Sequence, residues 1–149
     1  MFICENNLYS VYTGLRNRQS KSRSLKKIAE SNDILYFKED GNDAIKVYRL
    51  IEKVIKSIKQ KKKPALIEFY TYRWLEHCGP NWDDQLNYRP KGELSKWMKK
   101  CPLNKIKKNI NEKKIFNLQK RIDKEINNAF YLAKKSQFPK KEIFNSYYF

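Results

Sequence analysis

The chain has 149 residues and a mass of 18.0 kDa, which is enough for one domain and too short for two well-buried ones. It contains 33 Lys and Arg against 16 Asp and Glu, a net charge of +17, but its 40% hydrophobic residues exclude wholesale disorder. No apolar run approaches the roughly 18 residues of a membrane helix, and the first residues lack a signal-peptide pattern. We therefore expect a cytoplasmic protein with no membrane partner. Cys4, Cys78 and Cys101 are widely spaced and odd in number, which favours free thiols.

The positive charge has a compositional origin. The chain has 26 Lys and only 7 Arg, a profile typical of AT-rich codons, whereas nucleic-acid binders more often use the bidentate fork of Arg. Residues 59–63 are the one stretch that resembles a basic run. We therefore expect mainly solvated lysine and no nucleic-acid partner, although a basic nucleic-acid-binding module stays an alternative function.

The first third of the chain predicts two strands and a short helix. The apolar run 2–4 indicates a buried strand that ends in the polar residues from Glu5. Residues 14–24 lack apolar periodicity and predict an exposed basic loop. Ser24 is suited to cap a short helix over residues 25–30, which a compact strand at 34–37 follows.

A strand, helix, strand pattern continues through the middle of the chain. Residues 40–43 predict a turn in which Asn42 caps the next helix. That helix has apolar residues at three- and four-residue spacing, at Val47, Ile51, Val54, Ile55 and Ile58. Pro64 ends it, and the apolar run 65–70 indicates a further strand. The alternation predicts an α/β fold with a parallel sheet and flanking helices.

The last part of the sequence predicts a loop and then helices. Residues 71–89 form a long loop rich in aromatic and polar groups, and a short helix is expected at 93–100. A long amphipathic helix is marked by Ile115, Leu118, Ile122, Ile126, Ala129, Phe130 and Ala133. Residues 139–149 favour a last helical turn with an aromatic end.

Two loops carry unusual chemistry at the edge where parallel strands end, which is where such sheets bind ligands. Asn6 and Asn7 follow the first strand, and their carboxamide oxygens suit a hard cation such as Mg²⁺. On local grounds an Asx turn that needs no ligand is the favoured alternative. The second loop holds Arg73 and His77, the single histidine, which could hold phosphate or move a proton. A solvated surface histidine is the commoner alternative.

Four ordered motifs resemble one family. The run Glu5-Asn6-Asn7-Leu8-Tyr9-Ser10 resembles the closing half of the thiamine diphosphate signature of 2-oxo acid dehydrogenase alpha subunits. Residues 40–43 (Asp-Gly-Asn-Asp) and 64–73, from Pro to Thr-Tyr-Arg, look like two further motifs of that family. His77 followed by Tyr88-Arg89 is similar to its cofactor-side loop. The resemblance extends over nearly the whole chain.

The resemblance implies a truncated thiamine diphosphate-binding fold with a C-terminal helical extension. Residues 1–103 would be the C-terminal half of the cofactor-binding domain, and residues 104–149 the helical extension of the same domain. The N-terminal half of the alpha subunit, with its Gly-Asp-Gly motif, would then be a missing partner. The other implied partners are the beta subunit and the lipoyl-bearing acyltransferase component.

The resemblance also assigns roles to residues. Asn7, through its carboxamide oxygen, and Tyr9, through its carbonyl, would bind Mg²⁺ and thereby thiamine diphosphate. His77 would bind the diphosphate and orient the incoming lipoyl group as the catalytic residue of this chain, and Arg73 would steady the cofactor-side loop. Glu76 and Cys78 depart from the usual Gly and Ser on either side of the histidine.

The implied reaction is that of an oxidoreductase. A complete enzyme of this kind decarboxylates or cleaves a 2-oxo acid or an acetoin-like substrate and passes the acyl group to lipoamide. The cofactor acts as the electron sink while the protein binds and orients. We expect this chain to be inactive alone, and a decayed fragment without activity stays a second alternative.

Overall fold

The computed structural model describes residues 1–139 of the chain. The helical turn predicted for residues 139–149 lies outside this range apart from Pro139. The chain divides after Lys108 into two compact units, 1–108 and 109–149. The division predicted between residues 103 and 104 stays a prediction.

The elements alternate between strands and helices, as an α/β fold requires. The strands are β1 (Phe2–Asn6), β2 (Tyr9–Ser10), β3 (Thr13–Gly14), β4 (Leu35–Asp40) and β5 (Ala65–Tyr70). The helices are α1 (Leu15–Arg18), α2 (Leu25–Ser31), α3 (Ala44–Lys61), α4 (Glu93–Met98), α5 (Pro102–Lys107) and α6 (Glu112–Lys135), with a 3₁₀ turn at Asp84–Leu86. Strands β1, β5 and β4 form a parallel sheet in that order, and β2 and β3 form a small antiparallel hairpin. The predicted α/β class and parallel sheet are confirmed.

Local capping residues set where the helices begin. Ser24 accepts a hydrogen bond from the backbone N–H of Lys27, so the predicted cap of α2 is confirmed. The cap predicted at Asn42 was wrong, because Asp43 accepts the bond from the N–H of Lys46 and caps α3. Asn42 is instead buried against the end of β5.

Two predictions for the first residues were also wrong. β1 is not buried, since Phe2 and Ile3 are 58% and 53% exposed. It lies at an edge of the sheet, and the apolar layer formed with α3 involves β4 and β5. The stretch 14–24 is not a continuous loop, because it contains the end of β3 and the short helix α1. Tertiary contacts form these short elements despite the absence of apolar periodicity.

The core lies between one face of the sheet and α3. Ala65, Ile67 and Phe69 of β5 alternate along the strand and pack with Val54 of α3, all at most 5% exposed. The partly buried residues around them are Leu35, Phe37, Val47, Leu50, Ile51 and Ile58. The predicted stripe on α3 therefore faces the sheet, except that Ile55 is 41% exposed.

The opposite face of the sheet is joined by a carboxylate. Glu68 of β5 is 6% exposed and accepts hydrogen bonds from Asn6 Nδ2 at 2.6 Å and from the hydroxyl of Tyr36. Because Asn6 belongs to β1 and Tyr36 to β4, one side chain links all three strands. Burial, and then the bond to Glu68, raises the pKa of Tyr36.

The carboxyl ends of the three strands are joined by hydrogen bonds of ordinary length. The carbonyl oxygen of Tyr70 accepts bonds from Gly41 N at 2.8 Å and Asn42 Nδ2 at 3.1 Å. Thr71 N donates to the carbonyl of Asn6 at 3.1 Å. The loops that follow all three strands therefore start from one fixed edge.

The second unit contains the predicted long helix. Helix α6 begins at Glu112, where Asn111 caps it through the N–H of Lys113, and none of its residues is buried. Its apolar side chains, Leu118, Ile122, Ile126 and Phe130 among them, are 38% to 65% exposed. Among residues 1–139, no helix is long and apolar enough to cross a membrane.

Replacing Gly41 with Ala tests the close packing at this edge. An added Cβ would lie 2.9 Å from the Tyr70 carbonyl oxygen and 2.6 Å from Thr71 Cγ2. We expect Gly41→Ala to lower the free energy of unfolding by about 1–3 kcal/mol in urea denaturation. The matched control is Gly14→Ala, whose Cβ would have its nearest neighbour at 3.9 Å and which should change stability by less than about 1 kcal/mol. Equal losses in the two variants would contradict this packing.

Candidate functional site

The loop after β1 is built from two consecutive Asx turns. Asn6 Oδ1 accepts from Leu8 N at 3.1 Å, and Asn7 Oδ1 accepts from Tyr9 N at 3.0 Å. Leu8 has φ +67° and Val11 has φ +53°, so the chain reverses sharply into the β2–β3 hairpin. Both carboxamides thus order the turn. This is the alternative to a cation site that the local sequence favoured. A carboxamide oxygen has a second lone pair, so this bond leaves Asn7 able to ligate a cation.

Tyr9 connects the hairpin to the start of α4. Its hydroxyl donates to Glu93 Oε2 at 2.6 Å, and the hydroxyl of Tyr72 donates to the same oxygen at 3.2 Å. The Tyr9 ring meets the rings of Tyr72 and Tyr88 edge to face, with centroids 6.2 and 5.6 Å away. Burial, and then the hydrogen bond to Glu93, raises the pKa of Tyr9.

Arg89 occupies the centre of this tyrosine cluster. It is 5% exposed, and its guanidinium carbon lies 4.9 Å from the ring centroids of both Tyr72 and Tyr88. Arg89 Nε and Nη2 have no hydrogen-bond acceptor among residues 1–139. Cation–π contacts with the surrounding rings therefore take part in stabilising a charge that would be costly to bury alone.

Asp83 is the counter-ion of this cluster. It is 1% exposed, and its Oδ1 lies 3.1 Å from Arg89 Nη1, an ion pair whose angle falls outside hydrogen-bond geometry. Its Oδ2 accepts a 2.5 Å hydrogen bond from the Tyr88 hydroxyl and lies 3.6 Å from Arg73 Nη1. In the structure Asp83 orders the loop and Asp84 is exposed.

Arg73 joins the two candidate loops. Its Nη1 donates to the carbonyl of Leu75 at 2.7 Å, and its Nη2 donates to the carbonyl of Val11 at 2.9 Å and to the Tyr88 hydroxyl at 3.1 Å. One guanidinium thus holds both the loop after β5 and the hairpin after β1. Because its donors are engaged within the protein, the contacts seen for Arg73 are positioning contacts.

His77 lies at the tip of a closed turn. Glu76 Oε1 accepts from Asn81 Nδ2 at 2.6 Å and from Asn81 N at 3.2 Å, and Glu76 N donates to the Asn81 carbonyl at 2.9 Å. This clasp leaves His77 and Cys78 exposed between its two ends. A Cβ at Gly79 would crowd Glu76 Oε1, so a larger residue there would displace the carboxylate that closes the clasp. The imidazole makes no hydrogen bond or ion pair within residues 1–139 and is accessible to a ligand.

A cavity of about 490 Å³ opens beside the hairpin and reaches both Asn7 and Tyr9. Its wall also includes Glu5, Glu68 and Lys38. Residues 1–139 contain no cluster of three or more His, Cys, Asp or Glu side chains that would hold a metal ion. Any cation at Asn7 and Tyr9 would therefore need oxygen ligands from another molecule or segment.

The structure joins the two loops that hold three of the predicted site residues, Asn7, Tyr9 and Arg73. The contact between the loops is made by the tyrosine cluster, which consists of Tyr9, Tyr72 and Tyr88. The sequence did not reveal Asp83 and Arg89 as a buried pair, because neither residue belongs to an apolar pattern. The density of tyrosine and tryptophan within residues 72–88 was the available signal, since aromatic faces favour a buried guanidinium.

Comparison with known proteins places the chain among dehydrogenases. Residues 1–142 match the family described as "Dehydrogenase E1 component". The chain is 29% identical to "2-oxoisovalerate dehydrogenase subunit alpha 1, mitochondrial" of Arabidopsis thaliana over 156 aligned positions, covering 99% of this chain and 32% of that protein.

A bacterial relative gives a similar result. The chain is 32% identical to "Pyruvate dehydrogenase E1 component subunit alpha" of Staphylococcus aureus (strain Mu50 / ATCC 700699) over 120 positions, covering 80% of this chain and 32% of that protein. The chain therefore spans about a third of the length of these curated relatives.

Neutralising Asp83 tests the buried ion pair. In Asp83→Asn the charge of Arg89 stays buried without its counter-ion, so we expect a loss of about 3–5 kcal/mol in the free energy of unfolding. The matched control Asp84→Asn removes the same charge from an exposed neighbour and should change stability by less than about 0.5 kcal/mol. Urea denaturation and limited proteolysis within residues 71–90 measure the difference. A loss of the same size in both variants would refute the role of Asp83.

The raised tyrosine pKa values predict a loss of stability at high pH. Burial and bonds to Glu93 and Asp83 raise the pKa of Tyr9 and Tyr88 above their ordinary value of 10. The unfolded chain then loses these protons first, so their stabilisation is complete below about pH 10 and falls as pH rises further. We expect Tyr9→Phe and Tyr88→Phe to flatten the decline in urea-unfolding free energy between about pH 10 and 12. The control is Tyr48→Phe, on the exposed side of α3, and an unchanged slope in all three variants would contradict the prediction.

Proposed function

Because the chain belongs to the family of dehydrogenase E1 components, we propose that it is the C-terminal part of the alpha subunit of a thiamine diphosphate-dependent 2-oxo acid dehydrogenase. Its fold would be a truncated form of the cofactor-binding domain. The motif from Glu5 to Ser10 and the loop with His77 support this placement. The parts of these relatives that the chain does not cover would correspond to the rest of the alpha subunit.

The observation that carries the proposal is the junction of the two loops. Arg73 bonds to the carbonyl of Val11, and Tyr9 and Tyr72 share the carboxylate of Glu93. The hairpin with Asn7 and the loop with His77 are therefore held together at the carboxyl edge of a parallel sheet. This edge is where open α/β sheets bind their ligands.

The oxygen donors fit Mg²⁺ in kind but not in number. Asn7 offers a carboxamide oxygen and Tyr9 a backbone carbonyl, both hard ligands, whereas Mg²⁺ takes six. A diphosphate and a carboxylate from the upstream part of the subunit would complete the set. When bound, thiamine diphosphate would supply the electron sink for cleavage of the bond next to a carbonyl.

The remaining site residues of this chain would position the loop or donate a hydrogen bond. The exposed imidazole of His77, on its clasped turn, would donate a hydrogen bond to a phosphate oxygen or orient the lipoyl group. Arg73, Asp83 and Arg89 would fix the base of that loop without touching the substrate. The substrate would be a 2-oxo acid or an acetoin-like compound, and the acyl group would pass to the lipoyl-bearing acyltransferase.

The beta subunit is the second partner that this proposal requires. The alpha subunit would contribute the ligands of the diphosphate, and the beta subunit would complete the reactive end of the site. The chain by itself would accordingly be inactive.

Reconstitution tests the proposal directly. The chain is mixed with the upstream two thirds of the S. aureus pyruvate dehydrogenase alpha subunit, the matching beta subunit and Mg²⁺-thiamine diphosphate. We expect the midpoint of thermal unfolding to rise, by about 2–4 °C for each kcal/mol of binding free energy, because the ligand binds only the assembled fold. Asn7→Ala should abolish the Mg²⁺-dependent part of this thermal shift, whereas the exposed control Asn17→Ala should leave the shift unchanged.

His77 is tested in the same assembly. His77→Ala should keep the thermal shift and lower acyl transfer to lipoamide by about 10²-fold or more, the range of a lost acid–base or orienting group. A mixture of all components with no thermal shift would refute the assignment to an alpha subunit.

A further inference from the structure

The segment between Asn7 and Ala29 has a charge pattern that the proposed function does not use. It contains no Asp or Glu, and between Arg16 and Lys27 it has six cationic residues. Three of the seven arginines of this lysine-rich chain, Arg16, Arg18 and Arg23, lie here. Codon bias towards Lys does not account for a concentration of Arg. A planar guanidinium differs from an ammonium in its bidentate geometry towards phosphate and carboxylate.

These three guanidinium groups have no partner in the described part of the chain. Within residues 1–139 they make no ion pair and no side-chain hydrogen bond, and all three residues are exposed. By contrast, Arg73 and Arg89 are paired with Asp83. The free cations of residues 16–23 are therefore available to an external anion.

The segment folds around a cavity of its own. A concave site of about 420 Å³ is lined by Leu15, Arg16, Gln19, Ser20, Lys21 and Arg23. This wall combines three cations, a hydroxyl and a carboxamide with no carboxylate. A turn fixes the position of Arg23, since Arg23 N donates to the Ser20 carbonyl at 3.0 Å. The volume lies in the range of small-molecule sites.

The cavity shares part of its wall with the one beside the hairpin. Leu15, Gln19 and Arg23 line both cavities, and the larger one reaches Asn7 and Tyr9. The larger cavity has Glu5 and Glu68 in its wall, so an anionic group is expected to favour the cationic cavity.

We infer that residues 16–23 bind the phosphate group of a small organic molecule, with Arg16 and Arg23 as the principal donors. The residues that line this site include none of those assigned to Mg²⁺ or to the cofactor, and all of them belong to this chain.

Calorimetric titration of the full chain with inorganic diphosphate in EDTA tests this site. EDTA removes Mg²⁺, so that cation-dependent cofactor binding does not contribute. At about 50 mM salt we expect saturable binding of one diphosphate per chain. Arg23→Gln and Arg16→Gln should each weaken the affinity by about tenfold or more, and Arg23→Lys by less, because it keeps the charge without the fork.

The matched control is Arg49→Gln, which removes an exposed arginine of α3 that lines neither cavity. It should change the affinity by less than about twofold. Thermal unfolding of each variant checks that the fold is kept. Absence of saturable binding, or an equal loss in Arg23→Gln and Arg49→Gln, would overturn the inference.

Competition by a short oligouridylate separates a small ligand from nucleic acid. We expect the oligonucleotide to bind no more tightly than diphosphate and Arg49→Gln to leave its binding unchanged. Much tighter binding of the oligonucleotide, with a steep salt dependence, would overturn the small-molecule assignment in favour of nucleic acid.

Discussion

The central position of β5 is the constraint on which the first unit depends. β5 is paired on both edges and is also largely buried on both faces, with different chemistry on each face. Ile67 and Phe69 pack towards α3, whereas Glu68 accepts hydrogen bonds from β1 and β4. A carboxylate in that position is stable because its oxygens are hydrogen-bonded. The same strand ends at Tyr70, whose carbonyl fixes the turn after β4.

The candidate site extends this arrangement with a second buried charge network. Asp83 and Arg89 lie in a loop that has no strand and only a single 3₁₀ turn, so their contacts replace the backbone ladders that order the sheet. Breaking such a pair is costly because the remaining charge stays desolvated. This explains how a long loop presents His77 on a defined base while the tip itself stays exposed. The site is therefore held by buried contacts where it joins the fold and is exposed at His77.

Sequence patterns predicted the elements whose stability comes from local periodicity and capping. Apolar runs predicted the strands around residues 35 and 67, and three- and four-residue spacing predicted the long helices. The side-chain oxygen of Ser24 predicted the cap of α2. Helix α5 was not predicted, although Pro102 at its first turn is a local start signal. The exposure of β1 was not predicted because its edge position depends on pairing with β5, which is distant in sequence. The motif from Glu5 to Ser10 and the loop around His77 gave the family, and residues 1–142 match it.

By itself, the sequence determined the α/β class, the family and the residue types at the candidate site. Periodicity, composition and ordered motifs are properties of the chain alone. The tertiary structure decided which polar residues are buried and which are free. It paired Asp83 with Arg89, engaged Arg73 with the hairpin, and left Arg16 and Arg23 without partners among residues 1–139. Charge pairing depends on distance and desolvation in three dimensions, and spacing along the chain does not encode these quantities.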